Sequence, residues 1–256
     1  MQIPNRPPVV AAVNPTTAGL AAVRLAAREA LARGTVLSVV HAFTWHEAAD
    51  RRAAAGLVDA AVAIIQRSTP GVGVRGQLMD GPRGTVLRRC SRTAAVLVLG
   101  GDDSALRELV TQAWCPVVVT RGPRPPGGPL LAAVDGSEPS VLALRFAADE
   151  ARRRGRTLDV VHVTAEGGEA TGRRLLDDLL GAVPDLPPLR RRVLAGSPAG
   201  ELVRASRRAG LIALGAARVG AVARELLQHS ACPTVFVHGR KERPLSLPRV
   251  ATVSKG

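Results

Sequence analysis

The chain states one pattern twice. The stretch VVAAVNPTTAGLAAVRLAAREALARGTVLSVVH, ending at His41, lies without a gap on LLAAVDGSEPSVLALRFAADEARRRGRTLDVVH, ending at His162. Val13 pairs with Val134, Arg24 with Arg145, Glu29 with Glu150, Gly34 with Gly155 and His41 with His162, all at one constant offset. A repeat unit this long is a whole small domain rather than a solenoid turn, so the 256 residues read as two copies of one fold in tandem.

Each copy opens with a short, continuous apolar run, Val9 to Val13 and Leu130 to Val134, the mark of a strand buried on both faces. A polar turn follows, NPTTAG or DGSEPS, whose small residues suit helix capping, with Pro139 fit for a first helical turn. Helices are expected over residues 18–33 and 139–154, stopping at Gly34 and Gly155. Strands over 36–41 and 158–163 complete a β-α-β unit in each copy. The second halves of the copies repeat more loosely: a central helix (48–68, 170–183), a strand (72–79, 189–194), then GPRGTVLRRCSRTAAVLVLG or GSPAGELVRASRRAGLIALG, and a last helix leading through Cys-Pro into a strand. Alternating helices and buried strands demand parallel sheets with right-handed crossovers. The expected fold class is therefore α/β, two tandem doubly wound five-stranded parallel-sheet domains. Their expected limits are 1–121 and 130–239, joined by a Pro- and Gly-rich linker at 122–129 and followed by an aperiodic basic tail at 240–256.

Composition narrows the function. Aromatic residues make up only 2% of the chain, so the cores must be built from Ala, Val and Leu. Cys90, Cys115 and Cys232 lack metal-ligand spacing, and an odd count argues against a disulfide framework, which fits a reducing cytoplasm. The opening MQIPNRPPVV holds no apolar signal core and no apolar run approaches the roughly 20 residues that span a bilayer, so no membrane partner is expected. The net charge of +14 would allow contact with nucleic acid. The arginines are nevertheless scattered, and three Phe, two Trp and no Tyr leave few surfaces for stacking bases, so nucleic acid is disfavoured.

The opening AVDGSEPS, the VVHV strand, the Gly-Ser-Pro helix start, the LIALG strand and the closing CPTVFV together resemble the universal stress protein family in its tandem form. The resemblance covers nearly all of both copies. It implies an adenine nucleotide alpha hydrolase-like sheet that in many members binds ATP across the carboxyl ends of the strands, where open α/β sheets hold ligands. The family's first-strand aspartate maps onto Asp135, beside Gly136 and Ser137, whereas the first copy has Asn14. The family's glycine-rich phosphate loop is shortened in both copies. In the first, Asp102 and Asp103 stand where phosphates would lie and are expected to repel them. In the second, Gly215 and Gly220 survive with Arg218 between them, but the hydroxyl that should follow is Ala221.

Other chemistry finds little support. His41 and His162 hold equivalent strand ends, pointing to a shared packing or hydrogen-bonding role, while His46, His229 and His238 fit no ligand motif. Ser137 lacks a nucleophile elbow and is expected to cap its helix. Cys115 and Cys232 precede matched prolines and suit buried packing, and Trp114 is expected to cover the seam between copies.

The expectation is thus a cytoplasmic, non-catalytic binding or regulatory protein of stress response. Its halves would pair as an intramolecular pseudo-dimer through their last strands, with a homodimer and a regulatory protein as further partners. The alternative is ATP or AMP binding in the second copy at Asp135, Gly136, Ser137, Gly215, Arg218 and Gly220, with weak or no hydrolysis. A nucleotide hydrolase using Asp135 to orient a metal-bound phosphate is the enzymatic alternative; it lacks the preorganised positive charge that phosphoryl transfer needs.

Overall fold

In the computed structural model, residues 6–44, 48–122, 127–216 and 219–239 are described. The first half runs β1 (Val9–Ala12), α1 (Thr17–Arg33), β2 (Leu37–Phe43), α2 (Ala48–Ser68), β3 (Val74–Asp80), α3 (Arg83–Cys90), β4 (Val96–Gly100), α4 (Leu106–Gln112) and β5 (Val117–Thr120). The second repeats the order with β6 (Leu130–Ala133), α5 (Glu138–Arg154), β7 (Leu158–Thr164), α6 (Glu169–Ala182), β8 (Leu189–Ala195), α7 (Pro198–Ser206), β9 (Leu211–Gly215), α8 (Ala221–His229) and β10 (Thr234–Val237). The expected tail and part of the linker lie outside the described residues, as does His46.

Local chemistry sets these boundaries. Thr16 caps α1 by accepting the Gly19 N–H at 3.0 Å. Gly34 and Gly155 end α1 and α5 in the left-handed conformation at φ +60° and +58°, a geometry that costs a side-chain-bearing residue energy. Strands β1, β4, β5 and β6 are buried along their whole length, which explains their unbroken apolar runs.

All ten strands form one sheet in the order β3-β2-β1-β4-β5-β10-β9-β6-β7-β8. Pairing is parallel within each half and antiparallel where β5 meets β10. Val117, Val118 and Val119 face Phe236, Val235 and Thr234, so equivalent positions exchange places about a pseudo-two-fold axis between Val118 and Val235. The apolar core crosses this seam: Val118 and Val235 share one cluster, and Phe236 and Leu227 pack with Val117 and Leu109 in another. Arg121 adds a polar tie by donating to the Leu227 carbonyl at 2.6 Å. Trp114 serves elsewhere than expected. It lies 5.3 Å from the Arg92 guanidinium of its own copy, donates its backbone N–H to the Ser91 hydroxyl at 3.0 Å, and does not belong to the clusters crossing the seam among the described residues.

Where α1 meets α5, the same symmetry builds a buried ionic cluster. Arg33 donates to Glu29 of its own helix and to Glu150 across the seam at 2.5 Å, while Arg154 mirrors it, binding Glu150 and reaching Glu29. Burial opposes ionisation of both carboxyls. For Glu150 the guanidiniums of Arg33, Arg154 and Arg153 outweigh burial and hold it below its ordinary value; for Glu29 burial prevails and raises it. Glu150 therefore stabilises the fold fully above the ordinary unfolded value of about 4.3 and ceases to do so as pH falls through its lower folded value. Glu29, being raised, favours the folded state most when protonated. Glu150→Gln is expected to cost about 3 kcal/mol in chemical denaturation at neutral pH, because buried guanidiniums lose their partner. Glu29→Gln is expected to cost less, about 1 kcal/mol. Equal losses would contradict this asymmetry.

Candidate functional site

β6 has β7 on one side and β9 on the other, so the chain leaves it at the point where the strand order reverses. A cleft of about 540 Å³ opens there, at the carboxyl ends of β6, β7 and β9 and against the starts of α7 and α8. Val134, Val161, Val163, Leu202, Leu214 and Val222 supply apolar walls, with Asp135, Ser137 and Ser140 as the polar side chains on its rim. The size and the apolar lining with a few convergent polar groups are those of a small-molecule site.

The turn after β6 arranges the Asp135 carboxylate. Its Oδ1 accepts the Ser137 hydroxyl at 2.6 Å and the Ser137 N–H at 3.0 Å, and the Asp135 N–H donates to Ser140 Oγ at 3.3 Å. Burial works against the charge, but these bonds hold the carboxyl below the usual carboxylate range. Ser137 thus stands at the N-cap position of α5 without capping it, correcting the expected role: its hydroxyl is spent on Asp135.

Asp135, Ser137, Gly215 and Gly220 are brought to one cleft, as the sequence pattern requires. Gly136 turns the chain at φ +85° but is not part of the lining, and Arg218 lies outside the described residues. Gly215 has a packing reason of its own, since a Cβ there would sit 2.4 Å from the Pro139 carbonyl carbon. Gly220 begins α8 facing open space.

Residues 128–182 match the model of the universal stress protein family. A universal stress protein of Mycobacterium tuberculosis strain H37Rv is 26% identical over 81% of this chain and 85% of its own length. Along most of its length the chain is similar to universal stress proteins. The crystal structure of a universal stress protein from Archaeoglobus fulgidus superposes with a TM-score of 0.68 at 14% identity, covering 93% of this chain and 99% of that one. The cytoplasmic domain of a prokaryotic cation chloride cotransporter also matches, with a TM-score of 0.52 at 13% identity over 90% of this chain and 95% of its own, so the architecture alone does not fix a function.

Within this fold the two halves differ at the crevice. In the first, Arg83 at the start of α3 reaches into the equivalent place. Its Nε donates to both Asp103 oxygens at 3.0 Å, its Nη2 lies 2.5 Å from Oδ2, and its Nη1 donates to the Val13 carbonyl at 3.2 Å. Asp103 is buried and also accepts the Ala105 N–H. Asn14 donates to Asp102 at 3.4 Å, tying the loops together. The expected repulsion by Asp103 is therefore corrected: its charge is neutralised in place, and the crevice is occupied by a guanidinium. The residue opposite Arg83 is Pro198, which lines the open cleft of the second half. Sequence reasoning missed this exchange, although GPR aligned on GSP displays it.

His41 and His162 share a hydrogen-bonding role, and Cys115 and Cys232 are buried. His41 and His162 each place Nδ1 against the carbonyl that ends the first strand, Val13 at 3.0 Å and Val134 at 2.9 Å. Burial pushes the Cys115 and Cys232 thiols up to about 12, and also raises that of half-buried Cys90. A thiol reagent should accordingly label Cys90 in the native protein and reach the other two only on unfolding, as counted by mass spectrometry. Ser137→Ala should raise the Asp135 pKa towards its ordinary value of about 3.9, followed by NMR titration of the side-chain carboxyl. An unmoved titration would assign the effect to backbone N–H groups alone.

Proposed function

We propose that the chain is a non-catalytic binding and regulatory protein of stress response, working in the cytoplasm, whose single competent crevice lies in the second of two units divided at 122–129. The observation that carries this reading is the contrast between Arg83, ion-paired inside the first crevice, and Pro198, which leaves the second open. Apolar walls suit a flat heterocycle, and the ionised Asp135 is placed to accept hydrogen bonds from sugar hydroxyls. The start of α8 supplies N–H groups for one phosphate.

AMP fits this reading better than ATP. Only residues 216–220 separate β9 from α8, too short a loop to wrap a triphosphate with main-chain N–H groups. Asp135 is the one charged side chain on the lining among the described residues, so nothing described there would stabilise the negative charge that develops in phosphoryl transfer. Binding without turnover then alters the surface a regulatory protein partner meets.

Calorimetric titration with adenosine, AMP and ATP tests this. AMP should bind saturably and at least as well as ATP, with Asp135→Ala weakening it by about tenfold and Pro198→Arg abolishing it. No saturation by any of the three at millimolar concentration ends the nucleotide reading. Steady phosphate release from ATP that vanishes in Asp135→Ala would overturn the non-catalytic one.

A further inference from the structure

At the other end of the second half's sheet, three arginines gather around one buried carboxylate. β7 and β8 pair so that Asp159 stands beside Arg190, with Arg192 two residues on and hence on the same face. Asp159 is 2% exposed; it accepts Arg190 Nε at 2.8 Å and Arg192 Nη1 at 3.4 Å. Arg208, just beyond α7, completes the group and makes no side-chain ion pair among the described residues. Between them lies a cavity of about 390 Å³, with Leu131 and Ala209 as apolar lining. Three guanidiniums against one carboxylate leave two positive charges uncompensated.

The first half acts as an internal control. By strand register its residues at the places of Asp159, Arg190 and Arg192 are Ser38, Arg75 and Gln77, and by gapless alignment Thr93 stands opposite Arg208. That half forms the same sheet, so the cluster answers no demand of the fold. Burying Asp159 also costs desolvation. Its effect is to hold two guanidinium forks on the cavity lining, each spending one N–H donor on the carboxylate.

We propose that this cavity binds a phosphate group, as free inorganic phosphate or as the phosphomonoester of a small metabolite. A dianion matches the two uncompensated charges, and planar guanidinium forks match phosphate oxygens in pairs. A concave pocket of this volume suits a small ligand better than a duplex, which needs a basic stripe along the surface. The site is remote from the Asp135 cleft and independent of the function proposed there.

The full chain would be titrated calorimetrically with inorganic phosphate and with glycerol phosphate at fixed ionic strength, with sodium chloride as control. Saturable binding of either probe is expected, weakened about tenfold or more by Arg208→Gln, weakened also by Arg192→Gln, and unchanged by Asp135→Ala. Tighter binding of glycerol phosphate assigns a metabolite, and equal binding assigns free phosphate. Because Arg208 makes no ion pair among the described residues, its variant should stay folded; phosphate should raise the unfolding temperature of the wild type and not of the variant. Wild-type affinity in Arg208→Gln, or heats no larger than those of chloride, overturns the proposal. Salt-sensitive retention on duplex DNA without phosphate saturation would replace it with a nucleic-acid surface.

Discussion

The antiparallel ladder between β5 and β10 is the contact on which the rest of the molecule depends. A five-stranded parallel sheet leaves its last strand with unpaired N–H and C=O groups along one side, an open template for any other chain. Here each half closes the other's open edge, and the two apolar cores become continuous through Val118, Val235 and Phe236. The symmetry of the ladder then dictates what must lie above it. Helices α1 and α5 are carried to the axis, and the acidic and basic residues they share, Glu29 with Glu150 and Arg33 with Arg154, are forced to meet in exchanged pairs.

Symmetry at the seam makes the asymmetry elsewhere informative. What both halves share is accounted for by packing: the histidines that hold the ends of the first strands, the glycines that stop α1 and α5, and the buried thiols beside their prolines. What only one half has cannot be required by the fold. Arg83 with Asp103 belongs to the first half alone, and Arg190, Arg192 and Arg208 around Asp159 to the second. Both sets are ionic and partly desolvated, so each costs free energy that a purely structural role does not explain.

Much of this was legible in the sequence because repetition acts as its own alignment. Gly34 and Gly155 at matched positions mark helix ends, the unbroken apolar runs mark doubly covered strands, and Asp135 after such a run marks the mouth of the crevice. The limits of the helices and strands fall within a residue or two of those read from the pattern. What escaped were pairings between distant side chains. Arg83 is twenty positions from Asp103, and nothing in local periodicity says that a side chain at a helix start will turn into the crevice. Glu29 and Glu150 were visible as counterparts, but their buried partnership needs the two-fold axis, which is a property of the assembled sheet. Ser137 misled for a similar reason: its position is that of a cap, yet a carboxylate two residues away offers the stronger acceptor.

The guanidinium lodged in the first crevice also fixes how the molecule counts. A symmetric dimer with two equal sites can respond to its ligand sigmoidally, because filling one pocket reports on the other across their shared interface. Fusing the halves and plugging one of them with Arg83 removes that option. On the function proposed above, each chain offers one such crevice and fills it along a hyperbola, so its response is graded in ligand concentration.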